Sequence, residues 1–198
     1  AFALEGGSNS ALDAFSDSDA VSDWARDSLA ALVEGGYVSG ANGRLNPKSS
    51  ITRAEFAQVM YTLVGDYVDQ AETVSQINAG NVVIRTAGAT LSNTTASGDL
   101  ILADGIGDGD VTLDGVTVEG RLLIRGGGPN SVHITNSSIE KDVVLENPNG
   151  DTRIVTSDST VGTISVKSGL ILDGDAERIE LMQSADISVQ SGTVKEMT

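Results

Sequence analysis

Apolar positions in the first third of the chain recur with the period of a helix. Within residues 22–33, Ala25, Leu29, Leu32 and Val33 fall at i, i+4, i+7 and i+8, a single stripe. Ser22 stands where an N-cap belongs, Asp23 places an acid in the first turn, and Gly35-Gly36 offers a left-handed exit. A second helix is announced by Ile51-Thr52-Arg53-Ala54-Glu55-Phe56. Thr52 and Glu55 have the spacing of a capping box, and Ile51 and Phe56 flank it at the positions of a hydrophobic staple. Phe56, Met60, Leu63 and Val64 repeat the stripe. The spacing therefore predicts two helices packed face to face, joined through the turn Gly40-Ala41-Asn42-Gly43-Arg44-Leu45-Asn46-Pro47.

Beyond residue 78 the period changes. Short aliphatic runs recur at Val82-Val83-Ile84, Leu100-Ile101-Leu102, Leu122-Leu123-Ile124, Val143-Val144-Leu145 and Ile164-Ser165-Val166, in steps of 18, 22, 21 and 21 residues. A second run follows at Val111-Thr112-Leu113, Val132-His133-Ile134 and Ile154-Val155-Thr156, and seven residues later a third apolar position at Val118, Ile139 and Val161. Three short strands per coil predict a parallel β-helix that buries an aliphatic column. Ile187-Ser188-Val189 and Val194 continue the pattern through shorter coils. The longer coils carry their extra residues at 103–110, 125–131 and 146–152, rich in Gly, Asn, Asp and Pro, which predicts loops on one flank. That flank reads as inert connection or as a binding face, with no repeated polar triplet to favour the latter.

The expected fold class is an α + β multidomain chain, a small α-helical module followed by a parallel β-helix (β-solenoid). The boundaries read as 1–70 for the helical module, 71–80 for a linker or cap, and 81–198 for the β-helix. The segment around 68–77, with the helical module, is expected to cover the first coil. The final coil ends at Thr198 without an amphipathic cap, so a truncation or an end-on partner is expected there; a start at Ala1 without Met suggests a processed or excised fragment.

Composition narrows the function. Twelve Lys and Arg against 28 Asp and Glu give a net charge of −16, four against ten up to residue 70 and eight against eighteen after it. The cations are scattered, so no basic face for nucleic acid is expected, and no apolar run is long enough to insert in a membrane. The absence of Cys removes disulfides and thiol chemistry, and the single histidine, His133, excludes a multi-histidine metal site. His133 alternates with inward Val132 and Ile134 and is read as an outward surface residue. No cofactor is expected. Asp104, Asp108 and Asp110 lie in the densest acidic stretch and are the candidates for calcium, but their spacing is not that of an EF-hand and does not repeat, which favours a solvated loop. Aligning coils puts Asp99, Arg121, Asp142 and Thr163 in one column, an acid-base-acid ladder that reads as pairing between coils in preference to a catalytic dyad.

Arg53 is not explained by capping, because a cation opposes the positive helix end; it is either a solvated side chain or a ligand contact. Here the residues carry a resemblance. Phe15-Ser16-Asp17, Trp24-Ala25, Gly35-Gly36-Tyr37-Val38-Ser39-Gly40, Gly43, Pro47 and Ile51-Thr52-Arg53-Ala54-Glu55-Phe56 resemble one S-layer homology (SLH) repeat over about residues 13–65. The later part resembles a right-handed parallel β-helix of a bacterial surface protein. The resemblance implies noncovalent anchoring to a cell-wall secondary polysaccharide, often pyruvylated, with Asp17, Trp24 and Arg53 lining the glycan groove and Gly40 giving close backbone approach. An Arg fork suits a carboxylate and an indole suits a sugar face. Trp24 also reads as a partly buried core residue, and Asp17 as a local turn former. Such modules usually comprise three repeats. One is complete here, residues 1–9 resemble the tail of another, and neighbouring repeats or other copies of the chain are expected to complete the groove.

The expectation is a non-enzymatic protein of a bacterial cell wall or S-layer, extracellular, with the β-helix as stalk, display or adhesion domain. The alternative is a wall-anchored polysaccharide lyase or glycoside hydrolase with a catalytic β-helix, which requires clustered carboxylates and a cation on one sheet. A third reading is an assembly subunit using the β-helix end.

Overall fold

The computed structural model describes residues 6–78 and 80–198. The chain divides into two compact units, one ending at Leu63 and the other spanning Val64–Thr198.

The first unit holds two helices, α1 (Asp23–Glu34) and α2 (Arg53–Leu63), with short 3-10 turns at Asn9–Leu12 and Ser18–Ala20. α1 packs on the Asn9–Leu12 turn, and Leu12, Val21 and Ala30 form the buried centre. Gly7 runs against α1: its N–H donates to the Asp27 carbonyl at 3.1 Å, and a Cβ there would lie 2.2 Å from the Ala31 nitrogen. Of the segment 1–9, read above as the tail of another repeat, residues 1–5 lie outside the described residues.

α1 ends as its glycines dictate. Gly36 has φ +72°, the Gly36 N–H donates to the Val33 carbonyl at 3.0 Å, and the Tyr37 N–H reaches the Leu32 carbonyl at 2.9 Å, a Schellman closure. Its start departs from expectation. Ser22 occupies the N-cap position, but its hydroxyl makes no capping bond and instead accepts from the Lys48 ammonium.

The face-to-face packing of the two helices is not found. Of the α2 stripe Leu63 is buried, Met60 is half-buried, and Phe56 remains 57 % exposed. The physical reason lies in what α1 packs on, the Asn9–Leu12 turn, and its stripe residues Ala25, Leu29, Leu32 and Val33 stay half-buried.

The second unit is a parallel β-solenoid of about six turns. Its strands build three sheets of eight, seven and four strands, each in coil order. The first sheet runs from Asp66–Val68 through Val82–Ile84, Leu100–Leu102, Leu122–Ile124, Val143–Leu145, Thr163–Val166 and Ala176–Leu181 to Val194–Met197. Identical faces stack: Val82, Leu100, Leu122, Val143, Ile164 and Ile179 are in register and almost wholly buried, as are Ile84, Leu102, Ile124, Leu145 and Val166. Each such side chain contributes about 1.5–3 kcal/mol by leaving water. The third sheet, Thr95–Ala96, Thr117–Val118, Ser138–Ile139 and Thr160–Val161, stops after four strands, and the later coils turn back without it.

The solenoid begins earlier than residue 81. Asp66–Val68 and Thr73–Val74, read above as module end and linker or cap, pair in parallel with Val82–Ile84 and Ala89–Ser92, so they form the first coil. Near the end, Val194 belongs to the first sheet, because the missing third side shortens the coil.

The corner before the third sheet is built the same way each time. Asn93, Gly115, Asn136 and Asp158 have φ of 50°, 67°, 50° and 48°, residue types that tolerate left-handed backbone. Inside that corner the Ser137 hydroxyl accepts from the Val116 N–H at 2.9 Å, and the Ser159 hydroxyl accepts from the Ser137 N–H at 3.0 Å. Val132 is the exception among left-handed positions, a buried β-branched residue at φ +62°.

Candidate functional site

Phe15-Ser16-Asp17 docks onto the loop that precedes α2. The Ser16 N–H donates to the Gly43 carbonyl at 2.9 Å. The Asp17 carboxylate accepts from two backbone amides, Leu45 N–H at 2.9 Å and Asn46 N–H at 2.8 Å. The Leu45 bond above all, with the Asn46 bond and the Arg44 charge, holds this carboxyl below the ordinary aspartate range. Asp17 is therefore a clamp on the loop, its two oxygens both engaged.

The loop is tightly specified. Ala41 and Arg44 exchange backbone hydrogen bonds at 2.8 and 3.0 Å around Asn42 and Gly43, whose φ of 50° and 69° suit a type I′ turn. Gly40 has φ +63°, and a Cβ there would lie 2.4 Å from the Arg44 carbonyl oxygen and 2.8 Å from the Phe15 ring. No other residue fits without displacing the motif that carries Asp17.

At the α2 start the Thr52 N–H and hydroxyl donate to Glu55 Oε2 at 2.8 and 2.7 Å, and the Glu55 N–H donates to Thr52 Oγ1 at 3.2 Å. These bonds, the backbone one first, lower the Glu55 pKa. Ile51 and Phe56, the staple positions, are 60 % and 57 % exposed.

Trp24, on the first turn of α1, is 87 % exposed, which removes its reading as a partly buried core residue. Arg53, the first residue of α2, is exposed, and its side chain has no hydrogen-bond or ion-pair partner among the described residues. The structure thus joins Asp17 and Gly40 through one loop and presents Trp24 and Arg53 on separate helices, with no hydrogen bond or ion pair between these two pairs among the described residues. Sequence reasoning missed Arg44 and Lys48, exposed cations on the same loop; the signal was available, since no carboxylate lies between Gly35 and Ala54.

The solenoid candidates resolve differently. Among the described residues no group of three or more acidic or histidine side chains is placed to hold a metal ion. Asp104, one of the three calcium candidates with Asp108 and Asp110, pairs instead with Arg125 at 3.0 Å. In the column before the first sheet Arg121 binds Asp99 at 2.6 Å. On the flank Arg125 and Lys167 both reach Glu146, at 3.5 and 3.1 Å, and the Lys167 bond leads in lowering the Glu146 pKa. Arg153 pairs with Asp173, Arg178 with Glu196 at 2.6 Å and Lys195 with Glu177 at 2.7 Å. Each of these six cations pairs with a carboxylate of a neighbouring coil. An open polar hollow of about 290 Å³ is lined by Thr156, Asp158, Ser159, Thr160 and Asp175, two acids without a cation. His133 is half-buried, with Nε2 2.9 Å from the Asn130 carbonyl oxygen.

The flank loops are ordered by one another. The Gly127 N–H donates to the Gly107 carbonyl at 2.6 Å, and Asn147 Nδ2 donates to the Gly127 carbonyl at 2.7 Å and to Thr152 Oγ1 at 3.0 Å. Among the described residues, no helix is long and apolar enough to cross a membrane.

The family model of the S-layer homology domain matches residues 14–57, the stretch from the Phe15 motif through α1 and the loop into α2. No curated protein and no solved structure matches the chain. The clamp, the exposed indole and the exposed guanidinium all fall inside the matched stretch, so the chain carries an S-layer homology domain, an anchoring module of bacterial cell-surface proteins, followed by a parallel β-solenoid.

Proposed function

We propose that the chain is a non-enzymatic cell-wall or S-layer protein whose S-layer homology domain binds a secondary cell-wall polysaccharide through Trp24 and Arg53, while the solenoid serves as a stalk, display or adhesion element. The observation that carries this reading is the state of those two side chains, an indole 87 % exposed and a guanidinium without a protein partner among the described residues. A flat apolar face in water suits a sugar ring, and a free planar fork suits a carboxylate such as a pyruvyl group. Asp17 and Gly40 act one step back, fixing the loop beside them. The exposed face of α2, with Phe56 and Tyr61, supports completion of the groove by a neighbouring repeat or another copy of the chain.

The solenoid's ion pairs support a non-catalytic role. Lys167, Ser191 with Arg153, and Lys195 hold Glu146, Asp173 and Glu177 in contacts between coils and lower their pKa values, which suits a role in holding the stack together. The test is cosedimentation with purified sacculi that retain their secondary polymer, with polymer-stripped sacculi as control. The parent chain is expected to pellet with the former, and Arg53→Ala to lose about tenfold or more in affinity, the size of one charge-assisted hydrogen-bond pair. Equal pelleting of a folded Arg53→Ala removes Arg53 from the mechanism, and turnover of an acidic polysaccharide by the chain overturns the non-enzymatic reading.

A further inference from the structure

Between Gly35 and Ala54 the chain has no Asp or Glu, although it holds 28 of them and a net charge of −16. The Lys and Arg in that stretch are Arg44, Lys48 and Arg53, and all three are exposed. They sit on different pieces of the first unit. Arg44 closes the turn with Ala41, Lys48 donates to the Ser22 hydroxyl just ahead of the helix bearing Trp24, and Arg53 opens α2. Asp17, the carboxylate placed against this loop, already has both oxygens engaged by the Leu45 and Asn46 amides. The Lys48 ammonium uses one of its three donors on Ser22 and keeps the others.

Arg44 has the Asp17 charge beside it, which leaves three cations against one carboxylate. One guanidinium fork is enough for one carboxylate. We infer that Arg44 and Lys48 join Arg53 in a cationic strip that reads a glycan segment carrying more than one anionic group along its length. This rests on the polysaccharide-binding reading above and adds to it the charge of the polymer and two residues that sense it. The strip also eases a conflict: a unit of net negative charge meets an acidic polymer through a stretch that carries three cations and no Asp or Glu.

The experiment is affinity electrophoresis of the full chain in gels containing polygalacturonate or neutral dextran, run beside sacculus cosedimentation at 50 and 500 mM NaCl. The parent is expected to be retarded by polygalacturonate and not by dextran, and the retardation to vanish at high salt. The Arg44→Gln/Lys48→Gln variant, with both changed side chains exposed, is expected to bind polygalacturonate and sacculi about five- to tenfold more weakly. Arg44→Lys is expected to keep most of the parent's retardation. A parent unaffected by polygalacturonate, or binding it equally at both salt concentrations, overturns the strip. Sacculus binding by the double Gln variant equal to that of the parent overturns it while leaving the anchoring reading intact. Polygalacturonate binding that depends on Arg44 and Lys48, with no sacculus binding by any form, keeps the strip and sinks the cell-wall assignment.

Discussion

Arg121 grips Asp99 across one turn of the solenoid with three donors: its backbone N–H at 2.8 Å and Nε at 3.3 Å reach Oδ1, and Nη2 reaches Oδ2 at 2.6 Å. Both side chains are more than four-fifths buried, so the pair sits where water competes poorly. Asp99→Ala removes all three of these bonds and is expected to lower the solenoid's stability by about 1–3 kcal/mol, read as a shift in the urea midpoint. A shift below about 0.3 kcal/mol would make the contact incidental.

Gly40 gives a sharper backbone test. Gly40→Ala puts a Cβ into the Arg44 carbonyl at a φ of +63°, so the loop must shift away from Phe15. The expected cost is about 1–3 kcal/mol in the first unit, together with loss of sacculus binding. Unchanged thermal melting and pelleting would show that the loop accommodates the methyl.

Trp24 separates binding from folding. It is the single tryptophan and lies in solvent, so the chain's tryptophan emission is expected at the long wavelength of hydrated indole and to shift blue as polymer is added. Trp24→Ala is expected to change stability by less than about 0.5 kcal/mol while sacculus pelleting falls. An emission spectrum blind to saturating polymer removes the indole from the contact.

The Asp17 clamp sets a pH dependence. Its folded-state pKa is depressed below the usual 3.8, so its contribution is present in full above that value and is lost as the pH falls through the lower, folded-state pKa. In a pH titration followed by NMR, the Leu45 and Asn46 amide resonances are expected to move together with the Asp17 carboxyl, at an apparent pKa below 3.8. Movement of those amides at an ordinary aspartate pKa would mean that the clamp is not formed in solution.

Much of the fold was legible because repetition is hard to mistake. Leu100, Leu122 and Val143 recur at coil intervals and fall in register in the first sheet. The first coil escaped notice because Thr73–Val74 is a two-residue strand and Asp66–Val68 follows the helical stripe with only Gly65 between. Periodicity shows which side of a helix is apolar and not what covers it, hence the missed exposure of Phe56. The Asp17 clamp was invisible for another reason: its partners are the backbone amides of Leu45 and Asn46, and an amide leaves no trace in residue identity. Arg44 and Lys48 were overlooked because cations are conspicuous in sequence, whereas missing acids are not.

The early end of the third sheet bears on how such a stack can vary. After Thr160–Val161 the coils change from three sides to two, yet the first and second sheets continue their pairing through Val194–Met197 and Ile187–Ser191. In these last coils the strand ladders continue on two sheets. The third is a removable panel, so the circumference of a coil can shrink or swell by insertion and deletion while the ladder above and below it stays aligned.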